Sequence, residues 1–132
     1  WLTDVRAYAG PATVPEGKVQ ATQFLSVRES DGRLVGMIQV RHYFNDYLEQ
    51  FGGHIGYSVR PDERRKGYAR EQLRLALSYC RGTLGLDRVL ITCNTSNEGS
   101  RRTILSAGGV YENTVHEPDR NVDRERYWIT LP

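Results

Sequence analysis

The chain has 132 residues, 39% of them hydrophobic, and its 18 basic and 16 acidic side chains leave a formal net charge of +2. That length carries one hydrophobic core and argues for a single domain over residues 1–132, while the near-balanced charge offers no global basic field for nucleic acid. Two cysteines are too few for a disulfide framework and lack a paired metal-ligand spacing, no apolar run is long enough to span a bilayer, and no secretory leader is evident. The expectation is a soluble, cytoplasmic protein with no metal and with neither a membrane nor a nucleic acid as partner.

In chain order, Trp1, Val5 and Tyr8 or Ala9 keep a helical spacing that Gly10-Pro11 would stop, so the N-terminus reads as the tail of a helix followed by a loop over 10–18. Residues 22–28 and 34–43 are apolar, β-branched runs on either side of an Asp31-Gly32 turn signal, which predicts an antiparallel hairpin. Asn45 can cap a short helix carrying Leu48 and Phe51, ended by Gly52-Gly53. Ile55, Tyr57 and Val59 alternate with Gly56 and Ser58 in a strand that stops at Arg60-Pro61, where proline cannot donate to a ladder. Ala69, Leu73, Ala76, Leu77 and Cys80 then share one face of a helix whose other side carries Arg70, Glu71, Arg74 and Arg81. Past Gly82 and Gly85, residues 88–93 form a second strand that a right-handed crossover would lay parallel to the first, and Cys80 and Cys93 read as small core residues. Thr95-Ser96-Asn97 can cap a helix from about 98 to 107 closed by Gly108-Gly109, and residues 110–116 and 124–131 predict a closing hairpin.

The strand and the long helix are joined by Arg64-Arg65-Lys66-Gly67-Tyr68-Ala69. Gly67 and the small Ala69 let backbone amides approach a ligand at a helix end whose unpaired N–H groups favour anions, so the turn reads as a phosphate cradle. The competing reading is a basic surface turn that merely opens a helix.

Arg64-x-x-Gly67-x-Ala69 between a strand and a helix resembles the acyl-CoA signature Gln/Arg-x-x-Gly-x-Gly/Ala of the GNAT superfamily of N-acetyltransferases. The string Gly-His-Ile-Gly-Tyr…Pro…Lys-Gly-Tyr-Ala over 53–69 is similar to the branch that contains the ribosomal-protein N-terminal acetyltransferases, and with Asn97 the resemblance covers residues 22–131. It implies an α+β (α/β) acyl-CoA N-acyltransferase fold with a mixed central sheet around a parallel βαβ core. Relatives usually carry a strand and one or two helices ahead of the point where this chain starts, so N-terminal elements are expected to be missing. The resemblance further implies acetyl-CoA as co-substrate, its pyrophosphate on the backbone of Arg65, Lys66, Gly67, Tyr68 and Ala69 with Arg64 nearby. Thioester contacts fall to the backbone around Ser58 and Val59, where the resemblance implies that this strand splays from the one ending near Cys93 and leaves unpaired backbone groups for the pantetheine arm, and further contacts with that arm fall to Asn97 and Ser100. Asn97 also reads as a plain helix cap, and both roles can coexist.

The implied reaction is direct attack of a neutral amine on the thioester. His54 stands where relatives often carry Glu, and an imidazole with a pKa of roughly 6.5 can take the amine's proton; a hydrogen-bonded structural histidine is the alternative. The tyrosine that many relatives carry in the helix after Asn97 is absent from Thr103-Ile104-Leu105, which leaves Tyr127 as substitute acid or as a core aromatic. Arg41, His42 and Asn45 either face the acceptor or belong to a solvated loop. Arg101, Arg102, Arg124 and Arg126 read as a surface network with Glu117, Asp123 and Glu125. The acceptor class is open between an amine-bearing small molecule and a protein or peptide N-terminus, a homodimer is left open, and the rival function is a non-catalytic acyl-CoA-binding regulatory module.

Overall fold

A computed structural model describes residues 2–5 and 19–132. Two antiparallel sheets make its frame. The first has the order β1-β2-β3-β4, from Leu2–Val5, Ala21–Val27, Leu34–Arg41 and Ile55–Val59; the second has the order β5-β7-β6, from Arg88–Asn94, Val122–Thr130 and Val110–Glu117. Helix α1, Tyr68–Gly82, links β4 to β5, and helix α2, Glu98–Ser106, follows β5.

Both predicted hairpins are present: β2 pairs with β3 around the Asp31-Gly32 turn, and β6 pairs with β7. At residues 2–5 the chain is a strand and not the predicted helix, whose other residues lie outside the described ones. Residues 2–5 pair in antiparallel register with Gln23–Ser26, because β2 would otherwise leave a row of unpaired backbone groups on that side. The predicted stop at Gly10-Pro11 and the loop over 10–18 lie outside the described residues.

The expected parallel pairing of β4 with β5 is also corrected. The two strands belong to different sheets and share no ladder. They meet at His54, just before β4: its backbone N–H donates to Leu90 O at 2.8 Å, and its Nδ1 accepts the Leu90 N–H at 2.9 Å. A side chain stands where a parallel ladder would place a carbonyl, and the strands part from there.

Apolar periodicity accounts for the core. Leu73, Ala76 and Cys80 of α1 pack with Ile38 and Val40 of β3, Ile55 of β4, Val89 and Ile91 of β5, and Ile104 of α2. Each fully buried aliphatic side chain here contributes about 1.5–3 kcal/mol by leaving water. Both cysteines are buried free thiols, and desolvation pushes Cys80 up to about 12 and Cys93 up to about 11, so both stay protonated and packed. Gln72, on the same face of α1, is polar and buried. It accepts from Ser26 Oγ and donates to Ser58 O at 3.3 Å, which fixes the start of α1 against the last residues of β4. Among the described residues no helix is long and apolar enough to cross a membrane.

Candidate active site

β4 ends at Val59, and one 3₁₀ turn, Pro61–Glu63, leads into the predicted cradle. Glu63 anchors it. Its carboxylate is buried and accepts from Lys66 Nζ at 2.8 Å and from Arg28 Nη1 at 2.6 Å, and these hydrogen bonds, that of Lys66 foremost, hold its pKa below the usual carboxylate range. Lys66 is therefore spent on the scaffold. Arg64 donates from Nε to Val59 O at 3.3 Å, and Arg65, at a left-handed φ of 63°, makes no ion pair or hydrogen bond among the described residues. Gly67 adopts φ 86° at the head of α1, and a Cβ there would meet no protein atom within 4 Å. No side chain caps the helix, so its first N–H groups face the open space above Gly67. The geometry fits a pyrophosphate on residues 65–69.

The other part of the site lies along β4 rather than at its end. Beyond the His54–Leu90 contact the facing edges of β4 and β5 separate, and a cavity of about 740 Å³ opens, with Gly56 and Tyr57 of β4, Cys93 of β5, Asn97 and Ser100 at the head of α2, and Arg41 at the end of β3 on its walls. A smaller hollow of about 260 Å³ shares Arg41, Gly56 and Tyr57 and reaches Ser58. Val59 and residues 64–69 line neither, so the phosphate turn is a surface feature adjoining the cavity's strand.

Asn97 Oδ1 accepts the Ser100 N–H at 3.0 Å, the predicted cap of α2, and Asn97 also lines the cavity. Capping and contact with a pantetheine amide are thus compatible in one side chain. Ser100 Oγ lies 2.8 Å from Tyr57 OH. Tyr57 was read from the sequence as an apolar strand residue; burial raises the pKa of its phenol, which stays protonated on the cavity wall. The signal available was a tyrosine in the strand leading to the cradle, but alternation alone does not tell a packed ring from one presenting its hydroxyl.

His54 and Tyr127 are placed away from the cavity. His54 is 7% exposed, stacked on Phe44 with ring centroids 4.1 Å apart, and its Nδ1 lone pair is taken by Leu90 N–H. Burial first, and the charge of Arg41 second, push its pKa down to about 4, so the ring is neutral at physiological pH with its acceptor nitrogen occupied. Tyr127 is 4% exposed in the core and donates to Glu125 Oε1 at 3.0 Å. Its hydroxyl is turned to the Arg101–Glu125 pair and away from the space where a thioester would lie.

Arg41 does face the cavity, and Asn45 caps the π-type turn Leu48–Gly52, its Oδ1 accepting the Leu48 N–H at 2.9 Å. The expected surface network splits. Arg101 pairs with Glu125 at 2.8 Å and Arg102 with Glu98 at 2.6 Å, whereas Arg124 pairs with the buried Glu117 at 2.6 Å and turns to the cavity.

A family model described as an acetyltransferase (GNAT) domain matches residues 4–110. This chain belongs to that family. Over 82 residues it is 33% identical to an uncharacterized N-acetyltransferase, YoaA of Bacillus subtilis (strain 168), a match covering 59% of this chain and 46% of the relative. The chain spans about half the length of the curated relatives it matches. In fold it resembles the ribosomal-protein-S5-alanine acetyltransferase of Vibrio fischeri, with a TM-score of 0.72 at 18% identity over 84% of this chain and 62% of that one. A spermidine N-acetyltransferase, SpeG, from Vibrio cholerae gives 0.68 at 20% identity over 84% and 66%.

Proposed function

We propose that this domain transfers an acetyl group from acetyl-CoA to a primary amine by direct attack. The observation that carries the reading is β4 itself: one strand has an uncapped, cationic phosphate turn at its end and a cavity along its open side. A thioester laid along that strand would bring its carbonyl beside the cavity while residues 65–69 hold the pyrophosphate. Acetyl-CoA supplies an activated acyl group with a thiolate leaving group.

The neutral amine forms a bond to the carbonyl carbon, unpaired N–H groups of β4 hold the oxyanion, and the C–S bond breaks as the oxyanion collapses. Tyr57, protonated and hydrogen-bonded to Ser100 Oγ, is the phenol on the cavity wall that can donate to the departing sulfur. The occupied Nδ1 of His54 makes it a poor general base; water in the cavity takes the ammonium's proton before attack, and the second proton leaves the nitrogen for the Tyr57 phenolate as the amide forms. The names of two structural neighbours carry two acceptor types, a protein alanine and a polyamine.

Labelled acetyl transfer from acetyl-CoA to an amine panel tests the assignment. CoA should also raise the melting temperature by mass action, with about 2.7 kcal/mol at a hundredfold excess over Kd. Binding of CoA without transfer to any amine would move the assignment to an acyl-CoA-binding regulatory module, and no melting shift at millimolar CoA would remove the co-substrate altogether.

A further inference from the structure

The charges on the cavity wall are one-sided. Arg41, Arg120 and Arg124 line it, and among the described residues no carboxylate does. One acidic group stands behind them: Glu117, buried, accepts from Arg124 at 2.6 Å, from Tyr47 OH at 3.0 Å and lies 3.5 Å from Arg120. Among the described residues one carboxylate thus faces two guanidinium groups, and Arg41 has none. Arg41 is instead held by neutral acceptors, Nε on Gln39 Oε1 at 2.9 Å and Nη1 on Gly52 O at 3.2 Å, with no hydrogen bond to Nη2 among the described residues.

Room for that guanidinium is built in. A Cβ on Gly56 would come 2.9 Å from Nη2, so a side chain at this position of β4 would displace the group. Burial, and then the like charge of Arg124, lower the pKa of Arg41, so its charge is held at a cost that a ligand anion would relieve. The N–H groups of Nη2, left without a protein acceptor among the described residues, can donate a charge-assisted hydrogen bond to a carboxylate oxygen. A second ammonium group, as in a polyamine, would meet three cations there. The same field favours the uncharged form of an acceptor amine, which is the nucleophilic one.

We propose that the acceptor is a small amine that also carries a carboxylate, which Arg41 receives through Nη2 with Arg124 beside it. The inference rests on the acetyltransferase reading for the word acceptor; the choice of anion rests on the cavity wall alone.

Lysine and cadaverine differ by the α-carboxylate and make the test. Each is titrated into the CoA-loaded full chain by calorimetry, with spermidine as a third probe, and acetyl transfer to each is then compared. Lysine should bind roughly tenfold or more tightly than cadaverine, the gain of one charge-assisted hydrogen bond. Arg41→Gln should remove most of that ratio while leaving CoA affinity within about twofold, because Arg41 lies away from the phosphate turn. Cadaverine or spermidine binding as tightly as lysine, or no binding of lysine, overturns the inference even where CoA binds and transfer occurs. A loss of CoA affinity in Arg41→Gln with an unchanged ratio also overturns it, since the cation would then serve the co-substrate. The wild-type ratio decides the matter if Arg41→Gln fails to fold. Failure of CoA to bind, with lysine still preferred over cadaverine in the unliganded chain, would instead sink the acetyltransferase reading and leave the anion preference standing.

Discussion

At its C-terminal end β4 runs into an exposed turn made by consecutive residues, whereas at its N-terminal end it runs into His54, a buried ring that closes the seam between two sheets. The turn needs little from the rest of the molecule: Gly67 for its φ, Glu63 to gather Lys66 and Arg28, and a helix that begins without a side-chain cap. The seam needs most of it. His54 O accepts the Arg41 N–H at 2.7 Å, the His54 N–H and Nδ1 take both backbone groups of Leu90, and Phe44 covers the ring. Damage at the turn should therefore show up in ligand affinity, and damage at the seam in stability.

The strongest test is Gly67→Glu. A carboxylate placed where the pyrophosphate would sit meets like charge, and CoA affinity should fall on the order of a hundredfold or more. Folding should lose only about 1–2 kcal/mol from the left-handed backbone. Calorimetric titration with CoA next to a melting curve separates the two, and an unaltered affinity would put the cradle elsewhere.

His54→Ala should do the reverse. Leaving the buried Leu90 N–H without an acceptor costs about 1–3 kcal/mol, visible as a lower melting temperature, with kcat of the folded protein little changed. A general base would instead give a loss of roughly 10² to 10⁴ in kcat at near-normal stability. The ring also predicts a pH dependence. Its folded pKa of about 4 lies below the unfolded value of roughly 6.5, so between these the unfolded chain binds more protons. Stability from the neutral ring is complete above about pH 6.5 and is lost as the pH falls toward 4, on the order of 3 kcal/mol in all. Subtracting the acid-unfolding curve of His54→Ala from that of the wild type isolates this share from that of the carboxylates, and a flat difference between pH 4 and 6.5 would contradict the buried, neutral ring.

Two smaller effects sharpen the contrast. Glu63→Gln removes the carboxylate that holds Lys66 and Arg28, so the turn should loosen and CoA affinity should weaken severalfold. Because the Glu63 carboxyl is held below its usual range, its support is present at neutral pH and fades as the pH drops through that lowered value. Equal CoA affinity in the variant across pH would show that the turn keeps its shape unaided. Asn97→Ala should cost about 1 kcal/mol through the lost cap, and also raise KM for acetyl-CoA if the free amide N–H groups contact the pantetheine. A stability loss with unchanged KM would leave Asn97 as a cap only.

Much of this was legible in the residues, for local reasons. The hairpin around Asp31-Gly32, the amphipathic face Leu73–Ala76–Cys80, the cap at Asn97 and the turn ending at Gly67 are each specified by residues close together in the chain, where periodicity and backbone preference act directly. What pairs across long separations was not legible. The resemblance implies that β4 and β5 splay toward their ends, but not that they share no ladder at all and meet through the His54 ring, 36 residues from Leu90 in sequence, taking a backbone bond. That residues 2–5 form a strand depends on the free side of β2. Tyr127 reads first as a core aromatic and second as a substitute acid, and the packing of β7 against β5 buries it with its hydroxyl on Glu125. The cationic wall needed tertiary structure most of all: Arg41 ends β3 while Arg120 and Arg124 belong to the β6–β7 hairpin, and their sum appears only where the fold brings them to one cavity without an equal number of carboxylates among the described residues. The sequence determined which elements form and where an anion can be cradled by backbone; the tertiary structure decided which side chains remain unpaired, because desolvation and partner choice are properties of the packed chain.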